Sequence, residues 1–205
     1  MSATDLTVGL LCGSLNEASS NAALLRVAEQ RAAGRDVVVR SVDGFQEIAA
    51  FDPAVADDPP KSVSRFQDQI RPLDALLIAS PEYAAGVAGS LKNALDWLVG
   101  DATIYRKLIG VASAGTTGGP NAIEQLVRTI SWQGGWVVST LGVAGPRTKS
   151  NAEGQYTDLS TISEIEAWCD VVVDAARGSA SERRERLTAV VASYGIDPER
   201  FGDID

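Results

Sequence analysis

Apolar residues follow two alternating rhythms along this chain: short unbroken runs, and longer stretches with an apolar side chain at every third or fourth position. The runs at Leu6 to Leu11, Asp36 to Ser41, Ala75 to Ala79, Leu108 to Ala112 and Trp136 to Thr140 predict five strands. Ala75 to Ala79 is apolar throughout, as expected of a strand covered on both faces. Between the runs, Leu24, Val27 and Ala28 mark one buried helix face. Val63, Phe66 and Ile70 mark a second, in a helix over Ser62 to Arg71 that stops before Pro72. Leu91, Ala94, Leu95 and Leu98 mark a third, and Ile123, Leu126, Val127 and Ile130 a fourth that starts at Pro120. Ile162, Ile165, Cys169, Val172 and Val173 do the same for Ser160 to Arg177. Asp43 to Lys61, with Pro53, Pro59 and Pro60, shows no period and reads as a loop. Strand and helix alternate throughout, so the expected class is α/β: a parallel sheet with helices on both faces, a three-layer sandwich.

Three of the predicted strands end in turns of small and polar residues. Open α/β sheets bind ligands in the crevice at the carboxyl ends of their strands, which makes these turns the candidate chemistry. The first, Gly13-Ser14-Leu15-Asn16-Glu17-Ala18-Ser19-Ser20-Asn21, leads into a helix. Backbone N–H groups and hydroxyls there suit a phosphate, and a simple N-cap by Ser19 or Ser20 explains the same letters. The second begins at Ser80-Pro81-Glu82-Tyr83, where Pro81 ends the strand, and continues through Ala84 to Gly89, with Ser90 as the expected N-cap. Its side chains are small enough for a flat ligand to lie against the backbone. The third, Ser113 to Gly119, is glycine-rich and reads as a turn or as a ligand loop.

Composition narrows the function. The 205 residues suit one core, and the formal net charge of −9 argues against nucleic acid or an anionic membrane as partner. No apolar stretch approaches the about 20 residues of a membrane span, and the N-terminus lacks the basic region and apolar run of a signal peptide. Cys12 and Cys169 lie far apart with no metal spacing, so no metal site is expected and a reduced cytoplasmic setting is. There is no histidine, which excludes Ser-His-Asp and Cys-His triads and the common zinc sites. No catalytic side chain is singled out.

The second turn and its helix, Pro81-Glu82-Tyr83 followed by Leu91-Lys92-Asn93-Ala94-Leu95-Asp96-Trp97, resemble the NADPH-dependent FMN reductase family, flavodoxin-like proteins that include quinone, azo-dye and chromate reductases. The family's form is close to PEYN, a few small residues with PG, then LKNAIDW; here Ala84 replaces the Asn and Ala88 the Pro. The first turn is similar to the family's phosphate loop at Gly13, Ser14, Leu15, Ser19 and Asn21, with Asn16 where an arginine is usual. That exchange removes a charge-assisted bond worth roughly 1.5–3 kcal/mol. Ser113, Gly115, Gly118 and Gly119 match the family's SxGxxGG segment beside the flavin ring. The resemblance covers about residues 6 to 177 and implies the sheet order 2-1-3-4-5.

It also implies cofactor contacts at Gly13, Ser14, Leu15, Asn16, Ser19, Asn21, Pro81, Glu82, Tyr83, Ala84, Ser113, Gly115 and Gly118. The implied cofactors are FMN and NADPH or NADH, with hydride passing to the flavin and on to a quinone-like or other small acceptor. By the same resemblance the protein forms a homodimer or homotetramer; Trp97 reads as a core or interface residue, and the family's dimer helix favours the interface. Glu82 reads as a structural carboxylate, and Lys92 and Asp96 as an i, i+4 pair. Arg147 and Lys149, in the loop Gly145 to Gly154, are candidates for the NADPH phosphate by charge and position. Residues 1–178 form the expected reductase domain and 179–205 a helical extension with an acidic tail, its buried face at Leu187, Val190, Val191 and Tyr194. A second reading is a degenerate flavodoxin-like FMN-binding or regulatory protein with little turnover. A third, a flavodoxin-type electron carrier, lacks support from the helix motif.

Overall fold

The computed structural model describes residues 6–202; the first residues of the leader reading and the last of the acidic tail lie outside the described residues. The sheet contains β1 (Thr7–Cys12), β2 (Val38–Ser41), β3 (Ala75–Ala79), β6 (Leu108–Gly115) and β7 (Trp136–Ala144). A separate two-stranded hairpin is formed by β4 (Glu82–Tyr83) and β5 (Gly86–Val87). All pairings of the main sheet are parallel, in the order β2-β1-β3-β6-β7. Counted within that sheet, this is the expected 2-1-3-4-5 order of the flavodoxin-like fold.

Right-handed crossovers fix the layers. The step from β1 to β2 runs one way across the sheet and those from β2 to β3, β6 and β7 run the other. Helix α1 (Ser20–Ala33) therefore covers one face, and α2 (Lys61–Ile70), α3 (Gly89–Asp96) and α4 (Pro120–Trp132) cover the opposite one. Helix α5 (Leu159–Arg177) returns beside α1, and α6 (Ala180–Ser193) packs against β7 with Leu187 and Val191 buried. The central strands are fully enclosed: every residue of β3 is buried. Gly110 in β6 permits the closest approach of α5, since a Cβ there would lie 2.8 Å from both Leu77 Cδ2 and Val172 Cγ2.

Several local expectations shift. Strands β6 and β7 run on together to the pair Gly115–Ala144, whereas β3 ends at Ala79 opposite Ala112. Ser113 and Gly115 thus lie in a strand and not in a loop. Periodicity stops at Ala112 because small residues carry no apolar signal. Helix α3 starts at Gly89 with Ala88 as its N-cap and no side-chain cap bond, so Ser90 is inside the helix.

Trp97 is buried within its own chain, 2% exposed, and belongs to the core rather than an interface. Its indole Nε1 donates to the Ala49 carbonyl at 2.8 Å, and Asn93 Nδ2 donates to the same oxygen at 2.9 Å. Asn93 Oδ1 accepts from Phe51 N at 2.8 Å, and the Phe51 ring meets Trp97 edge-on at 5.1 Å. The conspicuous helix motif thus fastens the proline-bearing segment 45–55 to the body of the protein. Lys92 and Asp96 form the anticipated pair at 2.7 Å.

Helices α1 and α5 are joined by ion pairs from Arg31 (2.7 Å) and Arg35 (2.8 Å) to Asp170. Below these, the Cys169 thiol touches the Ala28 carbonyl and burial pushes its pKa up to about 12, consistent with a core residue. The Arg31 guanidinium, and then Arg35, hold the Asp170 carboxyl below its ordinary value. Its contribution is therefore complete above the unfolded carboxylate pKa and is lost as pH falls through the lowered folded value. Asp170→Asn is expected to lower unfolding stability at pH 7 by about 1 kcal/mol, and denaturant titrations at several pH values should show the gap to wild type closing below about pH 4.

Candidate functional site

A cleft of 560 Å³ opens where β1, β3 and β6 end, between the two directions in which the chain crosses the sheet. Ser14, Asn16, Ser19, Ser20 and Asn21 form one wall, and Pro81 and Tyr83 a second. Ala114, Gly115 and Thr116 line the floor side, and Gly145 to Thr148 close the rim. Another hollow, of 410 Å³, lies at the amino ends of β6 and β7 around Tyr105, Trp132 and Trp136. The strand ends and their three loops single out the first.

The first wall is built for hydrogen bonding. Gly13 N donates to Ala79 O at 2.8 Å, and a Cβ on Gly13 would lie 2.7 Å from Leu91 Cδ2, so the turn leaves β1 pressed against α3. Asn16 shapes the turn itself, its Oδ1 accepting from Ala18 N at 3.0 Å. Ser19 is the N-cap of α1: Ala22 N donates to its Oγ at 3.1 Å and Ala23 N to its carbonyl at 3.0 Å. The two preceding N–H groups of the helix, on Ser20 and Asn21, have no intrahelical acceptor, and both residues line the cleft. The N-cap and the candidate phosphate turn are therefore the same piece of chain. Leu15 is turned away, 65% exposed, toward the hollow between α1 and β2.

Asn21 has a task its position in the turn did not announce. Its Nδ2 donates to Ala114 O at 3.1 Å while Ala114 N donates to its Oδ1 at 2.9 Å. The amide pairs with β6 where β3 has already ended, as a neighbouring strand would, and is 2% exposed.

The second wall is the β4–β5 hairpin. Its two-residue turn places both Ala84 (φ 49°) and Ala85 (φ 57°) in the left-handed region, the geometry that favours Asn and Gly. Tyr83 stands at the cleft edge, 63% exposed. Glu82 points the other way and caps α4: its Oε2 accepts from Asn121 N at 2.7 Å and Ala122 N at 3.0 Å, and its Oε1 from Asn121 Nδ2 at 3.1 Å. The Ala122 N–H first, and then the Asn121 amide, hold its carboxyl below the usual glutamate range. Its carboxylate acts through position, tying the hairpin to α4.

On the third side, Ser113 is fully buried and its Oγ has no hydrogen-bond partner among the described residues. Gly119 sits directly on it, since a Cβ there would fall 1.9 Å from Ser113 Oγ. Gly118 (φ 82°) turns the chain against Gly142 and Ala144. Gly145 N donates to Gly115 O at 3.0 Å, which brings the turn Pro146–Lys149 over the rim. Arg147, on that turn, is the one permanently charged side chain on the cleft wall among the described residues. The sequence marked it by charge and loop position; its place beside the first turn comes from the β7–α5 connection.

A helix start with free N–H groups at one end and a small-residue hairpin carrying a tyrosine at the other fit a long, flat, phosphate-bearing cofactor. Fold and cleft together define a flavodoxin-like flavoprotein. Residues 6–150 match the family described as NADPH-dependent FMN reductase, and the chain belongs to that family. It is 34% identical over 169 residues to a quinone reductase of Escherichia coli K12, covering 78% of this chain and 89% of the relative. It is 39% identical over 97 residues to a probable NADPH:quinone oxidoreductase of Oryza sativa, where the match covers 45% of this chain and 49% of the relative.

Among solved structures, the flavoenzyme NAD(P)H:(acceptor) oxidoreductase FerB of Paracoccus denitrificans superimposes with a TM-score of 0.68 at 26% identity, covering 84% of this chain and 97% of that one. The protein is an NAD(P)H-dependent flavin oxidoreductase whose cofactors are FMN and NAD(P)H. The degenerate, non-catalytic reading is not favoured. Among the described residues no helix is long and apolar enough to cross a membrane, and no cluster of potential metal ligands occurs.

The left-handed turn yields a test. Ala84→Asn places at φ 49° a residue that tolerates that conformation. It should raise stability by about 0.5–1 kcal/mol, read as a higher urea midpoint at unchanged slope.

Proposed function

We infer that the protein reduces quinone-like, flat aromatic acceptors with electrons from NADPH or NADH. The observation that carries this reading is the cleft itself, with a phosphate-type helix start at one end and an open edge of small residues beside Tyr83 at the other. Ser14, Asn16, Ser19 and the N–H groups of Ser20 and Asn21 would hold the phosphate of FMN. Pro81, Tyr83 and the backbone of Ala84 would bound one side of its ring, and the strand end at Ala114 and Gly115, with Ser113 and Gly118 behind, the other. Gly13, Leu15 and Glu82 act behind this surface by fixing the turn and the hairpin. The bound flavin supplies hydride acceptance and delivery to the second substrate.

The chain's own part is to bind, orient and leave room. Ala84 and Ala85, at the exposed tip of the hairpin, present so little side chain that the outer face of the ring stays open to nicotinamide and acceptor in turn. Among the described residues the cleft wall carries no carboxylate, cysteine or lysine, so the protons for the reduced acceptor come from solvent. This agrees with a chain that has no histidine.

A homodimer or homotetramer is part of the proposal. It is supported by exposed Val99, Tyr105 and Trp132, which line one hollow at the amino ends of β6 and β7. Cytoplasmic residence is proposed on the free state of both cysteines, one of them in the core.

Titration of flavin-stripped protein with FMN, followed by flavin fluorescence, is expected to saturate, and addition of NADPH and a benzoquinone should then give sustained nicotinamide oxidation. Absence of saturation at tens of micromolar, with no turnover, would overturn the reading. Sedimentation equilibrium should return a mass that is a multiple of the 21.5 kDa chain.

A further inference from the structure

The phosphate turn lacks the arginine found at the position of Asn16, yet a cation stands on the same cleft wall. We propose that Arg147, delivered from the β7–α5 connection, supplies the charged contact to the FMN phosphate in this protein. The proposal rests on the flavin-binding reading of the cleft.

Three observations place Arg147 for this task. Its turn is held at both ends beside the helix start: Gly145 N donates to Gly115 O at 3.0 Å, and Tyr156 OH donates to Ser20 O at 3.3 Å. Between these anchors the turn is braced by Thr148 Oγ1 on Gly145 O (2.9 Å) and Ser150 Oγ on Pro146 O (3.0 Å). The segment therefore crosses the rim in one fixed path, next to Ser19 and Ser20.

The neighbouring cations stand off the cleft wall. Arg26 Nη1 donates to Glu17 O at 3.2 Å, on the side of the turn away from the cleft, and Lys149 is not among the residues that line the cleft. Arg147 is exposed and forms no ion pair among the described residues. No carboxylate shares the cleft wall to neutralise it. Finally, Asn16 has already committed its Oδ1 to the backbone of Ala18, so it shapes the turn and leaves the charge to come from elsewhere. An arginine that reaches a phosphate across a cleft keeps its planar fork for two parallel bonds, whichever segment delivers it.

The test compares FMN with riboflavin, which has the same ring and no phosphate. Equilibrium titration of the apoprotein, by flavin fluorescence, is run on wild type, Arg147→Gln and Lys149→Gln, with thermal unfolding of each apoprotein as a control for folding. Wild type should bind FMN more tightly than riboflavin. Arg147→Gln should lose roughly 10- to 100-fold for FMN, keep its riboflavin affinity, and show a shallower dependence of FMN affinity on salt. Lys149→Gln should leave the FMN-to-riboflavin ratio within about twofold of wild type. Asn16→Arg added to Arg147→Gln should restore FMN binding.

An unchanged ratio in Arg147→Gln overturns the assignment. So does an equal loss for both flavins, which would put Arg147 at the ring. A shift only in the NADPH-to-NADH preference would give Arg147 to the nicotinamide cofactor and also overturns it. Failure of wild type to bind either flavin removes the underlying reading as well, and is distinguished by that result alone.

Discussion

The amide of Asn21 pairing with the backbone of Ala114 is the constraint on which the upper end of this protein depends. Strand β6 continues past β3, and an unpaired edge there would have left a buried N–H and C=O with nothing to bond. A single side chain from the first turn of α1 fills the place of a strand. In doing so it fixes the distance between the turn after β1 and the turn after β6. The cleft between them is as rigid as a hydrogen-bonded ladder, although it is walled by loops.

The same economy governs the other two walls. Glu82 leaves the hairpin to cap α4, so the tyrosine beside it is positioned by a helix on the far side of the sheet. Gly145 returns to Gly115, so the rim over the cleft is an extension of the β6–β7 pairing. Each loop is anchored by a polar group directed away from the ligand space, which leaves the space itself lined by small residues, hydroxyls and one guanidinium. A flavin site needs this arrangement: its chemistry resides in the cofactor, and the protein's task is to hold geometry and exclude competing contacts.

The architecture was legible in the sequence because hydrophobic rhythm reports burial, and burial of β3 and the amphipathic faces of α4 and α5 is nearly complete. What escaped the rhythm was made of residues with no apolar signal. Ser113, Ala114 and Gly115 look like a loop, but they are a strand because Asn21 and β7 pair with them. Trp97 reads as an interface residue within a conspicuous motif, but with Asn93 it holds the segment 45–55, which shows no period of its own. Of the candidate site, Ser14, Asn16, Ser19, Asn21, Pro81, Tyr83 and Gly115 were legible as residues that line the cleft, whereas Gly13, Leu15, Ala84, Ser113 and Gly118 stand outside its lining. Glu82 was legible only as a structural carboxylate, and the partners of Asn21 and Arg147 depend on long-range packing that no local pattern encodes.

Helix α6 lies against β7, the last strand of the sheet. A cut at Gly178, where the family resemblance ends, would therefore separate β7 from the helix packed on it. A fragment ending there would uncover Leu187's and Val191's counterpart surface together with the flank of a strand, the two ingredients of edge-to-edge association. The extension behaves as a built-in sleeve, and shortened versions of this protein should be sought in inclusion bodies before they are judged inactive.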